Sequence, residues 1–248
     1  MHIQIYKRQK DQGETGGEYL TSIQEALNTA EVLKPASKAS LTAIAAFSSI
    51  IRADKGKHLF RDKEEVKNLY ILIQGRASLY KLNSLGEKKV IFVYGAGSML
   101  NEVMLQDLPA SINCELLENS QVLSIPIQKF FHVMEKDPAL LKAVFDSMSL
   151  KIRRLYRQLK NTTNDLSGEK RLAAKLYKLS KDCGIKEADG IRIDMNLTIT
   201  FLAEMLGSKR ETVSRQMKRL VEMGLVVTNK TGFLIPDPKK LSEYFKTP

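Results

Sequence analysis

The sequence predicts an α+β chain in three parts: a small β-barrel or jelly roll, one long helix, and a C-terminal helix-turn-helix with a wing. Three observations carry this. From residue 58 to 126 the chain breaks into short segments rich in β-branched and aromatic residues: LYILIQG, ASLYKL, KVIFVYG, INCELL and QVLSIPI. From Pro138 no helix breaker occurs until Gly168. Residues 198–223, TITFLAEMLGSKRETVSRQMKRLVEM, read as a short helix, a turn at Gly207 and a second helix.

Residues 1–19 form a polar, Gly-containing arm. Ser22 and Glu25 have capping-box spacing ahead of a helix running to about residue 33. A second helix follows Pro35, with Leu41, Ile44, Ala45 and Phe47 on one side. The strand segments are divided by turn signals, such as Asn83 with Ser84, and Gly95, Ala96 and Gly97. Their roughly 8–12-residue spacing indicates a sandwich or barrel. LYKLNSLGEKKVIF reads as a hairpin with Gly86 in its loop.

On the long helix the apolar residues are Leu141, Phe145, Met148, Ile152, Leu155 and Leu159, in steps of 4, 3, 4, 3 and 4. Such a narrow, strict repeat is either a core stripe or a coiled-coil seam. A helix packed only on its own barrel shows a broader stripe, which favours the seam and a two-fold homodimer. Lys151, Arg153, Arg154, Arg157 and Lys160 read mostly as the solvated flank. NTTNDLSG, residues 161–168, reads as a hinge. EKRLAAKLYKLSKDCG is an amphipathic helix with Leu172, Leu176 and Leu179 inward, ending at Gly184, and KEADGIRIDMNLT supplies a turn and a short strand. The expected domains are 1–137, a sensing barrel with its arm and helices; 138–163, the dimerisation helix; and 164–248, the helix-turn-helix domain.

Composition narrows the functional classes. With 43% hydrophobic and 27% charged residues, the chain has ample material for a core and a polar surface. No apolar stretch approaches the roughly 20 residues that span a bilayer, and the first residues lack an apolar signal region, so a cytoplasmic protein without a membrane partner is expected. Two distant cysteines, Cys114 and Cys183, exclude a disulfide scaffold, a CxxC zinc site and a four-cysteine iron–sulfur cluster within one chain. The barrel segment holds only His58, too few ligands for a cupin-type metal enzyme, and no G-x-S-x-G, P-loop or dinucleotide fingerprint occurs. No enzyme, metal or cofactor is expected. The net charge of +11 and isoelectric point near 9.5 favour a polyanionic partner, since Lys or Arg bound to phosphate releases counterions.

The helix-turn-helix gives that charge a purpose. Ala203, Leu206, Val213 and Met217 hold its two helices together, and LVVTNKTGFLIP suits a wing. Ser208 is the expected N-cap of the second helix, which presents Lys209, Arg210 and Glu211, then Ser214 and Arg215 one turn on. Arginine pairs bidentately with guanine, and a carboxylate accepts from cytosine N4, so the set suits major-groove reading. Thr198, Thr212 and Lys218 complete the expected interface with double-stranded DNA. Glu211 has a second reading, as partner of Ser208 in a capping box, and Lys218 and Arg219 are either phosphate contacts or solvated surface.

Taken together, LKPASKASLTAIAAF, KGKHLFRDKEEVKNLYILIQGRASLY, GSMLNE, the Asp-Pro opening the long helix and GSKRETVSR resemble the CRP/FNR family over nearly everything after about residue 33. The resemblance implies a cyclic-nucleotide-binding-like β-roll that senses an effector, a dimerisation helix and a winged helix-turn-helix. It further implies base reading by Arg210, Glu211 and Arg215, with Ser214 as an FNR-type contact to a TGA-like half-site in a palindrome. RNA polymerase becomes an expected partner, through a surface near residues 186–190.

The sensing pocket departs from the cyclic-nucleotide pattern. Glu102 stands where that pattern binds the ribose, but Asn101 replaces the preceding Gly. Ala110 and Ser111 replace the Arg–Ser pair that grips the cyclic phosphate, and Leu155 and Tyr156 replace the Thr–Ser pair that meets adenine. A buried phosphodiester without its Arg loses a charge-assisted contact of about 1.5–3 kcal/mol, so cyclic AMP is not the expected effector. The FNR cysteine set is absent, and His2, His58 and His132 are too scattered to suggest haem. An unassigned small molecule or constitutive DNA binding remains. The alternative is a β-roll sensor that regulates a protein partner without binding DNA.

Overall fold

The computed structural model describes residues 22–163, 167–229 and 232–247; the N-terminal arm lies outside them. The chain divides into two compact units, one comprising residues up to 81 with 91–159, the other residues 82–90 with 160–248.

In the first unit, α1 (Ile23–Thr29) opens on the expected capping box: Ser22 Oγ accepts from Glu25 N, and the Glu25 carboxylate accepts from Ser22 N at 2.6 Å. The helix is shorter than the sequence suggested. Ala30 is extended, and Glu31–Leu33 forms a separate 3-10 turn. α2 (Lys38–Phe47) is capped by Ser37. Seven strands follow: β1 (Ser49–Ala53), β2 (His58–Phe60), β3 (Asn68–Gln74), β4 (Ala77–Leu82), β5 (Lys88–Tyr94), β6 (Asn113–Leu116) and β7 (Ser120–Pro126). They form two antiparallel sheets, β1-β7-β3 and β2-β6-β4-β5. All five expected strand segments are present, while β1 gave too short an apolar run after α2 to announce itself.

Between the sheets lies one apolar core that includes Phe60, Leu69, Ile71, Leu116, Val122, Leu123 and Ile125. Six of the seven β7 residues are buried, because this central strand is covered on both faces. Its Gln121 donates to Gln74 Oε1 at 2.8 Å, while its own Oε1 is buried without a hydrogen bond among the described residues. Cys114 is fully buried on β6, and burial pushes its thiol up to about 12, which leaves it a packing residue rather than a redox group.

α3 (Ile127–Met134), which the sequence reading passed over, buries Phe130 and leads to α4 (Pro138–Thr163). Asp137 caps α4: its Oδ1 accepts from the backbone of Ala139 and Leu140, both at 3.1 Å. Its Oδ2 accepts from Ser37 N at 2.8 Å and Ser40 Oγ at 2.7 Å. One carboxylate thus serves the N-termini of α2 and α4. α4 continues to Thr163, so the first three residues of the hinge expected from residue 161 are helical; residues 164–166 lie outside the described residues.

The second unit contains α5 (Gly168–Cys183), β8 (Gly184–Glu187), β9 (Gly190–Ile193), α6 (Ile199–Leu206), α7 (Arg210–Glu222), β10 (Val227–Asn229), β11 (Gly232–Ile235) and α8 (Pro238–Lys246). Its sheet runs β10-β11-β9-β8, all antiparallel. The sequence showed one strand where β8 and β9 form a hairpin, and it gave no place to α8. Leu172, Ala173 and Leu176 of α5 are buried, as are Val213, Met217 and Leu220 of α7 and Leu241 of α8, with α5 packed on both partners. No described helix is long and apolar enough to cross a membrane.

Candidate nucleic-acid interface and effector cavity

The helix-turn-helix follows from local chemistry. Thr198 Oγ1 accepts from Phe201 N at 3.1 Å and starts α6. Gly207 ends it in the left-handed region, φ 63° and ψ 47°, where a Cβ would be strained. Ser208 N then donates to Ala203 O at 3.0 Å, which tightens the turn into α7.

The cap of α7 differs from expectation. Lys209, not Ser208, is the extended residue before the helix, and no side chain caps it. The Gly207 turn draws Ser208 back onto α6, so the helix begins one residue later. Glu211 is therefore the second helical residue, out of register for a Ser208 capping box, and stands exposed. Lys209, Arg210, Ser214, Arg215 and Lys218 are also exposed, as is Thr198; Ser208 and Thr212 are half-buried. Val213, Met217 and Leu220 point inward, which leaves the charged side of the first two turns facing out. Such a helix end offers unsatisfied N–H groups, guanidinium forks and one acceptor together. Lys218 lies 3.9 Å from Glu222 on the surface.

Arg219 is different. Its guanidinium pairs with Glu169 of α5, whose other oxygen lies 3.3 Å from Tyr244 Oη of α8. The Glu169 carboxylate thus ties three helices together. The wing is present as β10 and β11, its tip at residues 230 and 231 outside the described residues.

On α4 the heptad residues divide. Leu141, Phe145, Ile152, Leu155 and Leu159 stand exposed, Phe145 at 67% and Leu159 at 66%. Met148 turns toward its own barrel and packs against the core, beside the buried Leu140 and Val144. Met148 sits on the edge of the stripe that borders the core face of Leu140 and Val144, within reach of the barrel.

A cavity of about 220 Å³ lies in the first unit, walled by apolar side chains such as Phe60, Leu79, Phe92, Met104, Ile112 and Met148. Of the expected pocket residues, Asn101, Ser111 and Leu155 line it, as does Ile152. Glu102, Ala110 and Tyr156 do not. Tyr156 is 68% exposed and points away; Ala110 is buried among backbone contacts, its N–H donating to Glu64 O. Glu102 is fully buried behind the wall. Its carboxylate accepts from Ser147 Oγ at 2.7 Å and pairs with Lys151 Nζ, both on α4.

Lys151, one of the cations that read mostly as solvated flank, is instead largely enclosed, its side chain 13% exposed. Burial lowers its pKa and the Glu102 carboxylate opposes that fall. Its ammonium also reaches Met99 O at 3.0 Å and Leu100 O at 3.4 Å, and lies 4.9 Å from the Tyr94 ring centroid. One signal was available. Lys151 follows Val144 by seven residues and Met148 by three, so it falls on the core face, where an ammonium needs a partner. Among the described residues no group of three or more His, Cys, Asp and Glu is placed to hold a metal ion.

Comparison with known proteins agrees with this architecture. Residues 50–137 match the cyclic nucleotide-binding domain, and residues 170–244 match the Crp-like helix-turn-helix domain. The chain belongs to the CRP/FNR family of DNA-binding transcription regulators. Among CRP/FNR relatives, the global nitrogen regulator of Synechococcus elongatus is 26% identical over 195 residues, covering 77% of this chain and 87% of its own. The anaerobic regulatory protein of Bacillus subtilis is 26% identical over 187 residues, covering 74% and 78%. A CRP-like cAMP-activated global transcriptional regulator of Mycobacterium tuberculosis is 24% identical over 197 residues, covering 76% and 84%. Of solved structures, a CooA mutant from Carboxydothermus hydrogenoformans superposes with a TM-score of 0.69 at 22% identity, covering 91% of this chain and 96% of that one. The c-di-GMP responsive regulator CLP of Xanthomonas campestris gives 0.71 at 18%, covering 81% and 100%. These last two share the fold.

Proposed function

We propose that two copies of this regulator pair through the exposed α4 stripe and present their α7 helices to two half-sites of a palindromic operator. The observation that carries this is the exposed first two turns of α7, where Arg210, Glu211, Ser214 and Arg215 project from a helix anchored by Val213 and Met217. The arginines suit guanine edges and Glu211 suits cytosine N4. Recognition helices in a two-fold dimer then fall about 34 Å apart, one turn of duplex. In this reading residues 1–137 sense, 138–163 dimerise and 164–248 bind DNA. The protein works in the cytoplasm, and the β8–β9 hairpin around residues 186–190 is its surface for RNA polymerase.

Cyclic AMP is not the effector. Family members named for cyclic AMP and for c-di-GMP both resemble this chain, so likeness does not assign a ligand. The chemistry of the cavity does more: Ala110 supplies no cation for a phosphate, and Glu102 is engaged by Ser147 and Lys151. A bound effector would act as a population shift, favouring the helix pairing that spaces both recognition helices correctly.

The test is selection of bound sequences from random DNA, with and without cell extract. Enrichment of an inverted repeat supports the proposal, and extract dependence reveals a diffusible effector. Failure to enrich any sequence in either condition favours instead a β-roll sensor that acts through a protein partner.

A further inference from the structure

We infer that the cavity beneath α4 is a binding site for an uncharged, predominantly apolar molecule of about fused-bicyclic size, from which anions are barred by the Glu102–Lys151 pair. The inference rests on the reading above that the effector is not a cyclic nucleotide, and it names the class of ligand that takes its place.

The first argument is an inventory of polar groups. Asn101 lines the cavity, yet its Oδ1 accepts from Tyr70 N at 2.8 Å and its Nδ2 donates to Asn68 O at 2.9 Å. Lys151 is the cation at the wall, and an ammonium has three donors. They are directed at Met99 O, Leu100 O and the Glu102 carboxylate. An incoming anion would have to take Lys151 from Glu102, leaving a fully buried carboxylate without its cation. Breaking a buried pair from one side costs more than a single new ion pair returns. Ser111, at the exposed edge, is the remaining polar residue of the lining and carries no charge.

The second argument is size. Apolar cavities of about 150 Å³ hold benzene, so the 220 Å³ here corresponds to roughly nine or ten carbon atoms. A nucleotide is far more polar than this lining.

The third argument links the cavity to the rest of the molecule. Ile152 and Leu155 line it and also stand in the exposed stripe of α4. A ligand that fills the space presses on side chains that form the seam.

The test uses the purified full-length protein and equilibrium dialysis with three probes: naphthalene, 2-naphthoate and cyclic AMP. One naphthalene per chain is expected, with a dissociation constant of roughly tens of micromolar, the range accessible to a ten-atom ligand. 2-Naphthoate, the same ring system with a carboxylate, is expected to bind at least about tenfold more weakly, and cyclic AMP more weakly still. Ile112→Phe should fill the cavity and reduce naphthalene binding at least tenfold. Val103→Trp, at a half-open lining position that tolerates bulk, provides a second blocked variant should the first fold poorly. Absence of naphthalene binding, undiminished binding in a folded blocked variant, or preference for either anion would overturn the inference. DNA selection on the same preparation separates the two claims. Naphthalene binding without DNA selectivity upholds the cavity and removes the regulator reading of this site; selectivity without naphthalene binding does the reverse.

Discussion

Lys151 of the long helix ends against the carboxylate of Glu102, which is fully buried beneath it. Neither residue is replaceable alone. Removing one partner of a buried pair leaves an uncompensated charge and costs about 3–5 kcal/mol. Lys151→Met should therefore lower stability toward urea by about that amount. Adding Glu102→Gln should restore a large part of it, because the orphaned carboxylate is gone. Equal losses in the single and double variants would show that the pair is not coupled.

Asp137 predicts a pH dependence. Hydrogen bonds from Ser40, from the backbone of Ser37 and from Leu140 hold its carboxyl below the usual aspartate range. A carboxyl that is more acidic folded than unfolded stabilises fully above the unfolded pKa of about 3.9, and the contribution drains away as the pH falls below it. Asp137→Ala also removes a helix cap, worth about 0.5–2 kcal/mol. The stability gap between wild type and variant should be constant from neutral pH down to about pH 5 and narrow below about pH 4. A gap that persists undiminished at pH 3 would contradict the assignment.

The α4 stripe makes a cleaner mutational target than the heptad alone suggested. Ile152 and Leu155 line the cavity as well as the stripe, so changing them confuses two effects. Phe145 and Leu159 do not line it. Phe145→Glu with Leu159→Glu should convert the protein to single chains in light scattering while its thermal melt stays within a few degrees. An intact dimer would remove α4 as the seam.

At the DNA face, Arg215→Ala should cost about 1–3 kcal/mol in operator binding and relax preference at one base pair of each half-site. Being exposed, the residue should leave folding unchanged. Uniform weakening on all sequences would make Arg215 a phosphate contact. Arg219→Ala should instead destabilise the C-terminal unit, through its lost pairing with Glu169.

Periodic features were the legible ones. The strand segments, the long helix opened by Pro138 and the helix–Gly207–helix pattern all follow from spacing and breakers, and the structure contains each. What escaped depends on partners distant in sequence. Lys151 reads as one of several surface cations until Glu102, forty-nine positions away, is folded against it. Arg219 looks like its neighbour Lys218 until Glu169 of α5 is placed beside it. Ser208 has the chemistry of a cap, but the left-handed turn at Gly207 commits its N–H to Ala203 and passes the position to Lys209. Residue type proposed each role; tertiary pairing decided it.

The most direct measurement is a hydroxyl-radical footprint of the full-length protein on its enriched operator. If paired α7 helices enter successive major grooves, two equivalent protected patches should appear on one face of the duplex, centred about ten base pairs apart, with two chains bound per site. A single patch with one chain bound, or protection that ignores Glu211 and Arg215 substitutions, would contradict it.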